Sequence, residues 1–308
     1  MTADRLAVPG PAPDPAPPTV GPEARRFAGP PSSRVRRRRI GPGTAAAWVM
    51  LALVLLAAAW PAFLATHAPD TVSLGEPLAG PSRRHLLGTD VLGRDVYSRI
   101  VYGARWSVVI GLGSTAIALV AGGLLGMVAA TAGRLVGEVV MRVTDVLLAF
   151  PGLLLALLVV AVLGPGTVNA TVAIGCSAAP GFIRLARGQA AAIRDSSYVR
   201  AALMFGHRRA TVYLRHLVPN ALPPLLVFAT VYAGAALIAG SSLSFLGLGP
   251  RAPTPEWGAM LAEGRTYVGS AWGLTVYPGV AVALTVICCH VVGRDLRRRF
   301  TGMAIDVR

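Results

Sequence analysis

The sequence contains no lysine: all 29 of its Lys-plus-Arg positions are arginine. A phosphate-binding loop of the form GxxxxGK[ST] is thereby excluded, because its Lys is the group that reaches the nucleotide phosphates. Charge of either sign is scarce. Asp, Glu, Lys and Arg make up 14% of the 308 residues, against about 25% in soluble domains. Cysteine is limited to Cys176, Cys288 and Cys289, which lie in apolar segments without CxxC spacing and are expected to pack the core. The five histidines, His67, His85, His207, His216 and His290, are scattered without metal-ligand spacing. No nucleophile, base and orienter set stands out, so no catalytic residue, metal or cofactor is expected.

What is present is apolar length. Hydrophobic residues form 54% of the chain. Predominantly apolar runs extend over Thr44 to Ala65, Trp106 to Ala132, Val139 to Leu163, Val168 to Leu185, Ala221 to Leu248 and Trp272 to Val292. A helix needs about 20 apolar residues to cross a bilayer, so these six runs predict six spans and an all-α integral membrane protein. The first run follows the basic cluster Arg34 to Arg39 as a signal peptide would, but it exceeds a secretory h-region and is expected to stay as the first helix. Residues 1–43, rich in Pro, Gly, Ala and Arg, are expected to form a disordered tail ahead of a transmembrane domain over 44–308.

The net charge of +15 falls in Arg clusters beside these runs, with no interleaved aromatics, which argues against nucleic-acid binding and for orientation in a membrane. Arg34 to Arg39, Arg134 with Arg142, the seven Arg from Arg184 to Arg215, and Arg294 to Arg299 fall on one side of a six-span chain. Arg83, Arg84, Arg94, Arg99, Arg105, Arg251 and Arg265 fall on the other, offset by acidic residues. The positive-inside rule makes the first side, with both termini, cytoplasmic.

Between spans four and five lies YVRAALMFGHRRATVYLRHLVPNALPPLL, with Arg200, Arg208, Arg209, Arg215 and His216 between apolar segments. An Arg at mid-membrane costs about 2.5–3.5 kcal/mol on the insertion scale, so the stretch is expected to form a cytoplasmic helical excursion. Small residues at Ala201, Ala202 and Gly206 permit close approach to a partner, and Gly206 permits a sharp turn.

This stretch resembles the cytoplasmic loop of permease subunits of binding-protein-dependent ABC importers, whose EAA motif is framed here by Arg200, Ala201, Ala202, Gly206, His216, Val218 and Pro219. HLLGTDVLGRDVYSRIVYGAR (His85 to Arg105), TDVLLAFPGLLLALL (Thr144 to Leu158) and SLSFLGLGPRAPTPEWGAML (Ser242 to Leu261) are similar to the dipeptide/oligopeptide/nickel branch. The resemblance covers roughly 34–300, with a core permease domain at about 103–300. It implies a type I importer permease fold, a cytoplasmic coupling helix between spans four and five, and docking to an ATPase through Arg200, Ala201, Ala202, Gly206 and Pro219. It also implies a companion permease subunit, two ATP-binding subunits, an extracytoplasmic solute-binding protein and surrounding lipid, with ATP chemistry left to the partners. Di- or oligopeptides are the implied cargo, nickel or another small solute the alternative.

The sequence also departs from that pattern. Arg200 replaces the motif's Glu, Gly240 stands where many relatives have an acidic residue in span five, and Arg294 and Arg298 stand where acids are common.

Asp145, Pro151 and Gly240 are the translocation or gating candidates. Glu138, Arg142 and Asp145 share a helix face, so an Arg142–Asp145 or Glu138–Arg142 pair is expected. Pro151, Pro180 and Pro278 are expected to kink helices or mark their ends. Gly122 and Gly126 have GxxxG spacing for close helix packing. GTDVLGRDVYSRIV is expected to be an outer interfacial helix capped by Thr89 or Asp90. An ion-coupled transporter or channel remains the reading from another class. It requires buried acids at mid-membrane and an inverted repeat, neither of which is evident.

Overall fold

The computed structural model describes the backbone of residues 41–305 and the side chains of residues 41–300. Of the expected tail at 1–43, residues 1–40, including the Arg34 to Arg39 cluster, lie outside the described residues, and Pro42 and Gly43 already belong to the first helix. The chain is helical in α1 (Pro42–Ala59), α2 (Pro61–Leu64), α3 (Val96–Thr131), α4 (Arg134–Leu148), α5 (Gly152–Leu163), α6 (Thr167–Arg194), α7 (Ser197–Met204), α8 (Arg209–Val212), α9 (Val218–Phe245), α10 (Trp257–Gly264) and α11 (Gly273–Ile305).

Five helical stretches are each long and apolar enough to cross a membrane: α1, α3, α6, the run Arg209–Phe245, and α11 up to Phe300. The third expected span, Val139 to Leu163, is not one straight helix. It divides into α4 and α5, bent by 95°, and brings the number to six only as a pair. Pro151 explains the break: it has no N–H to give to the preceding turn and sits with φ −56° as the residue before α5. Pro180 and Pro278, by contrast, lie inside α6 and α11 without ending them. Pro61 separates α1 from α2.

The expected interfacial helix capped at Thr89 or Asp90 is absent. Residues 85–94 form a loop, and the helix starts at Val96, where Asp95 Oδ2 accepts from the Ser98 N–H at 2.8 Å, and continues to Thr131. Gly93 has φ +71°, and a Cβ there would collide with the carbonyl of Ser73, so the chain before Asp95 is held out of helical geometry. At about 1.5 Å per residue α3 is roughly 54 Å long. That exceeds the hydrocarbon thickness of about 30 Å, so it projects beyond the apolar layer.

Small residues bring α3 against α6. A Cβ on Gly122 would lie 2.5 Å from Phe182 Cβ, and one on Gly126 2.5 Å from the Ile183 carbonyl, so the GxxxG pair does pack a helix at backbone distance. Ser114 Oγ donates to the Thr171 carbonyl across the same contact at 3.0 Å. Ala118, Phe182, Ala186, Leu225 and Ala229 continue the core to α9. Of the three cysteines Cys288 is buried, Cys289 half-buried and Cys176 exposed, so core packing describes Cys288 best.

Ala130, at the end of α3, packs with Ala190 and Leu217. Trp257 Nε1 donates to the Ile100 carbonyl near the start of α3, at 2.9 Å. The segment around α7 and the segment around Trp257 therefore sit at opposite ends of the longest helix.

Candidate functional site

Helix α6 ends at Asp195, and α7 begins two residues later. Val199 is fully buried and holds α7 to the bundle, while Ala201, Ala202 and Leu203 are half-buried. Asp195 pairs with Arg194 at 3.0 Å, and the hydrogen bond from Arg194 lowers the Asp195 carboxyl from its ordinary value. Arg194 Nη1 also donates to the Ala130 carbonyl at 2.6 Å, which fixes the end of α6 on α3.

Arg200 departs from the acidic residue of the motif, and its local role is visible. Its Nε and Nη2 donate to the Asp195 carbonyl at 3.0 and 2.5 Å. A cation is thus placed on an orphan carbonyl at a helix C-terminus, where the helix dipole is negative. A Glu could not make that bond.

The helix closes at Gly206. The Gly206 N–H donates to the Leu203 carbonyl at 3.1 Å and the His207 N–H to the Ala202 carbonyl at 3.3 Å. With φ +83° at Gly206, this is a Schellman ending. Ala202 and Gly206 are therefore joined by the way the helix stops. Met204 and Phe205 hold no position in the motif. They occupy the last turn, each 82% exposed, and put two large apolar side chains on a bundle end otherwise rich in Arg.

Beyond Gly206, α8 runs through a π-helical segment, Tyr213–Leu217, into α9. The Val218 N–H reaches back five residues to the Tyr213 carbonyl. Pro219 follows directly; lacking an N–H, it cannot bond the Arg215 carbonyl, and the widened turn accommodates it. Pro219 is thus exposed inside a continuous helical run, near the start of α9. Asn220, also unremarked in the sequence, ties the pieces together: Nδ2 donates to the His216 carbonyl at 2.7 Å and lies 3.3 Å from the Tyr198 hydroxyl on α7.

The other candidates are dispersed. Asp145, exposed on α4, pairs with Arg184 of α6 at 2.5 Å, and Glu138 pairs with Arg134 at 2.7 Å. Both differ from the expected pairs within 138–145. The bend at Pro151 turns α4 across α6, and the longer-range partner wins. Pro151 is exposed at that bend. Gly240 is buried within the chain: a Cβ there would lie 2.5 Å from Ile110 Cγ2 and 3.8 Å from Ile174 Cδ1.

At the Trp257 end, distant motifs interlock. Glu256, 1% exposed, caps α10 by accepting from the Gly258 and Ala259 N–H groups at 3.0 and 2.9 Å, and it accepts from Ser107 Oγ at 3.0 Å. Arg94 bonds Asp90 at 2.6 Å, and both Arg94 and Arg99 approach Glu263 at 3.3 Å. The loop histidines are not scattered in space as they are in sequence. His67, His85 and Asp95 present donor atoms within 4.8 Å of one another. Burial raises the Asp95 carboxyl, but bonds from Ser98 and His85 and the charge of His67 bring it below its ordinary value.

Residues 122–301 match the family described as "Binding-protein-dependent transport system inner membrane component". The chain belongs to that family. It is 40% identical to a probable D,D-dipeptide transport system permease protein of Escherichia coli K12, over 83% of this chain and 86% of that protein. It is 41% identical to a di/tripeptide transport system permease protein of Pseudomonas aeruginosa, over 71% and 73%. A glutathione transport system permease protein of Pectobacterium atrosepticum is 37% identical over 82% and 84%. Among solved structures, the MetNI methionine ABC transporter in an inward-facing conformation aligns at TM-score 0.54 and 18% identity, covering 65% of this chain and 95% of that one. The fold is that of a type I importer permease, and this permease is an inner-membrane component of a transport system.

Proposed function

We propose that this permease is one of two membrane subunits of an ATP-driven importer of di- or oligopeptides, fed by an extracytoplasmic binding protein. The peptide cargo rests on the names of the relatives. The end bearing α7 is assigned to the cytoplasm by its Arg clusters, which places both termini there as well.

The observation that carries the coupling role is the closed helix α7 with Met204 and Phe205 exposed at its tip. Two apolar side chains held on a short, terminated helix make a compact plug for a groove on an ATPase subunit, and the surrounding arginines suit an acidic rim. ATP binding in the partner subunits would displace α7. The displacement passes to α9 through Tyr198 and Asn220 and to the bundle through buried Val199. The catalytic groups for ATP hydrolysis belong to the partners. Arg200, Ala201, Ala202, Gly206 and Pro219 shape and anchor this docking segment. Asp145 and Pro151, exposed on the bent α4–α5 pair, are assigned to the side facing the companion permease.

Phe205→Glu tests the coupling role. The side chain has no core to disrupt, so the chain should still insert and assemble with its companion permease. Co-purification of the ATPase subunits and ATP-dependent dipeptide uptake should both fall at least tenfold. Full uptake and unchanged co-purification would remove α7 from the coupling pathway.

A further inference from the structure

We propose that His67, His85 and Asp95 form a binding site for a first-row divalent cation of the Zn²⁺ type, at the end of the bundle opposite α7. The inference is independent of the cargo and of the coupling role of α7.

The donors come from three separate places. His67 follows α2, His85 lies in the loop, and Asp95 caps α3. His67 is held by its own N–H donating to Ser98 Oγ at 3.0 Å, and the neighbouring Thr66 hydroxyl reaches Asp95 Oδ2 at 3.4 Å. His85 Nδ1 is 2.9 Å from Asp95 Oδ1, and His67 Nδ1 is 3.9 Å from Asp95 Oδ2. Metal–ligand bonds of about 2.0–2.1 Å give ligand–ligand edges of roughly 2.9–3.4 Å between right-angle and tetrahedral arrangements. The His85–Asp95 edge already has that length, and His67, whose side chain is 31% exposed, can close the rest by side-chain rotation.

The other nitrogen of His85 strengthens the case. Nε2 lies 3.3 Å from Glu76 Oε2, an oxygen shielded from solvent that makes no hydrogen bond. The imidazole thus stands between two carboxylates. A neutral ring carries one N–H, so it can satisfy Asp95 or Glu76 but not both. If the proton serves Glu76, the Nδ1 lone pair faces a carboxylate oxygen at 2.9 Å, a contact that either a second proton or a metal ion relieves. A metal there, with Nε2–H turned to Glu76, is the carboxylate–histidine–metal relay that orients metal-ligating imidazoles. Two imidazoles and a carboxylate suit Zn²⁺ and its neighbours, whereas Mg²⁺ and Ca²⁺ favour all-oxygen sets. The cation would pin the connection between α2 and α3 to the start of α3, since each ligand belongs to a different part of that connection.

The test uses the assembled importer, stripped with a chelator and titrated with Co²⁺, whose visible d–d absorption reports low-symmetry nitrogen and oxygen coordination, followed by Zn²⁺ competition. His67→Gln removes one ligand from a partly exposed position, and that complex retains any sites on the other subunits as background. The wild-type complex should bind one more Zn²⁺ per copy of this chain than His67→Gln, or bind it at least tenfold more tightly. Glu76→Gln should weaken binding about 10–100-fold through the orienting contact. His67→Cys should keep Zn²⁺ and add a thiolate-to-Co²⁺ charge-transfer band in the near ultraviolet. Equal Zn²⁺ stoichiometry and affinity in wild type and His67→Gln, or no charge-transfer band in His67→Cys, would overturn the site.

Discussion

The His207 N–H donates to the Ala202 carbonyl at 3.3 Å, across the glycine that ends α7. That bond sets the length of α7 and leaves Met204 and Phe205 exposed in its last turn. It depends on the left-handed conformation of Gly206, which an L side chain occupies at a cost of about 1–2 kcal/mol.

Gly206→Ala should therefore be harmful even though a Cβ there meets no atom within 4 Å. A cost of about 1–2 kcal/mol lowers the population of the closed ending roughly 5–30-fold. Uptake in proteoliposomes should drop, with ATP hydrolysis losing its dependence on the loaded binding protein. Gly206→Asn, which tolerates the left-handed region, should retain more activity than Gly206→Ala. Equal, full activity in both variants would mean that the φ of Gly206 is immaterial to coupling.

Gly240 gives a prediction about packing. A Val there drives methyl groups into Ile110 and should destabilise the permease by about 1–3 kcal/mol. Ile110→Ala should recover part of that loss, because it vacates the colliding volume. Thermal unfolding of the detergent-purified complex measures both. Strictly additive losses in the double variant would show that the two residues do not meet.

The Asp145–Arg184 pair is exposed on both sides, 58% and 57%, so its contribution to stability is expected to be about 0–1 kcal/mol. Asp145→Ala and Arg184→Ala should leave the unfolding temperature nearly unchanged. If the pair bears on gating, each single charge reversal should reduce uptake, and the exchange Asp145→Arg with Arg184→Asp should restore it. Full uptake by both single reversals would assign the pair no part in transport.

Much of the molecule was written in local chemistry. Apolar runs of bilayer length identify the spans without knowledge of their neighbours, because hydrocarbon accepts almost any apolar helix of about 20 residues. The small residues at Gly122 and Gly126 announced a close helix contact, and α6 supplies it. The excursion after α6 was readable from its arginines, and its turn from Gly206. Less could be read where partners lie far apart in the chain. Asp145 had Arg142 within one turn, yet it pairs with Arg184, since the direction of α4 is set by the bend at Pro151 and by packing on α6. The loop before Asp95 has the spacing of a helix but is held open by contacts with residues about 20 positions earlier, which local propensity cannot register.

The sequence by itself determined an all-helical membrane chain, its small-residue helix contacts and the Arg-rich excursion between α6 and α9, because hydropathy, helix packing at glycine and turn chemistry act over a few residues. Only the tertiary structure decided that the third span is bent, that Gly240 is enclosed by Ile110 and Ile174, and that two histidines meet the carboxylate capping α3. Each of these depends on where separate helices and loops come to rest against one another, and that position is fixed by the packing of the whole bundle.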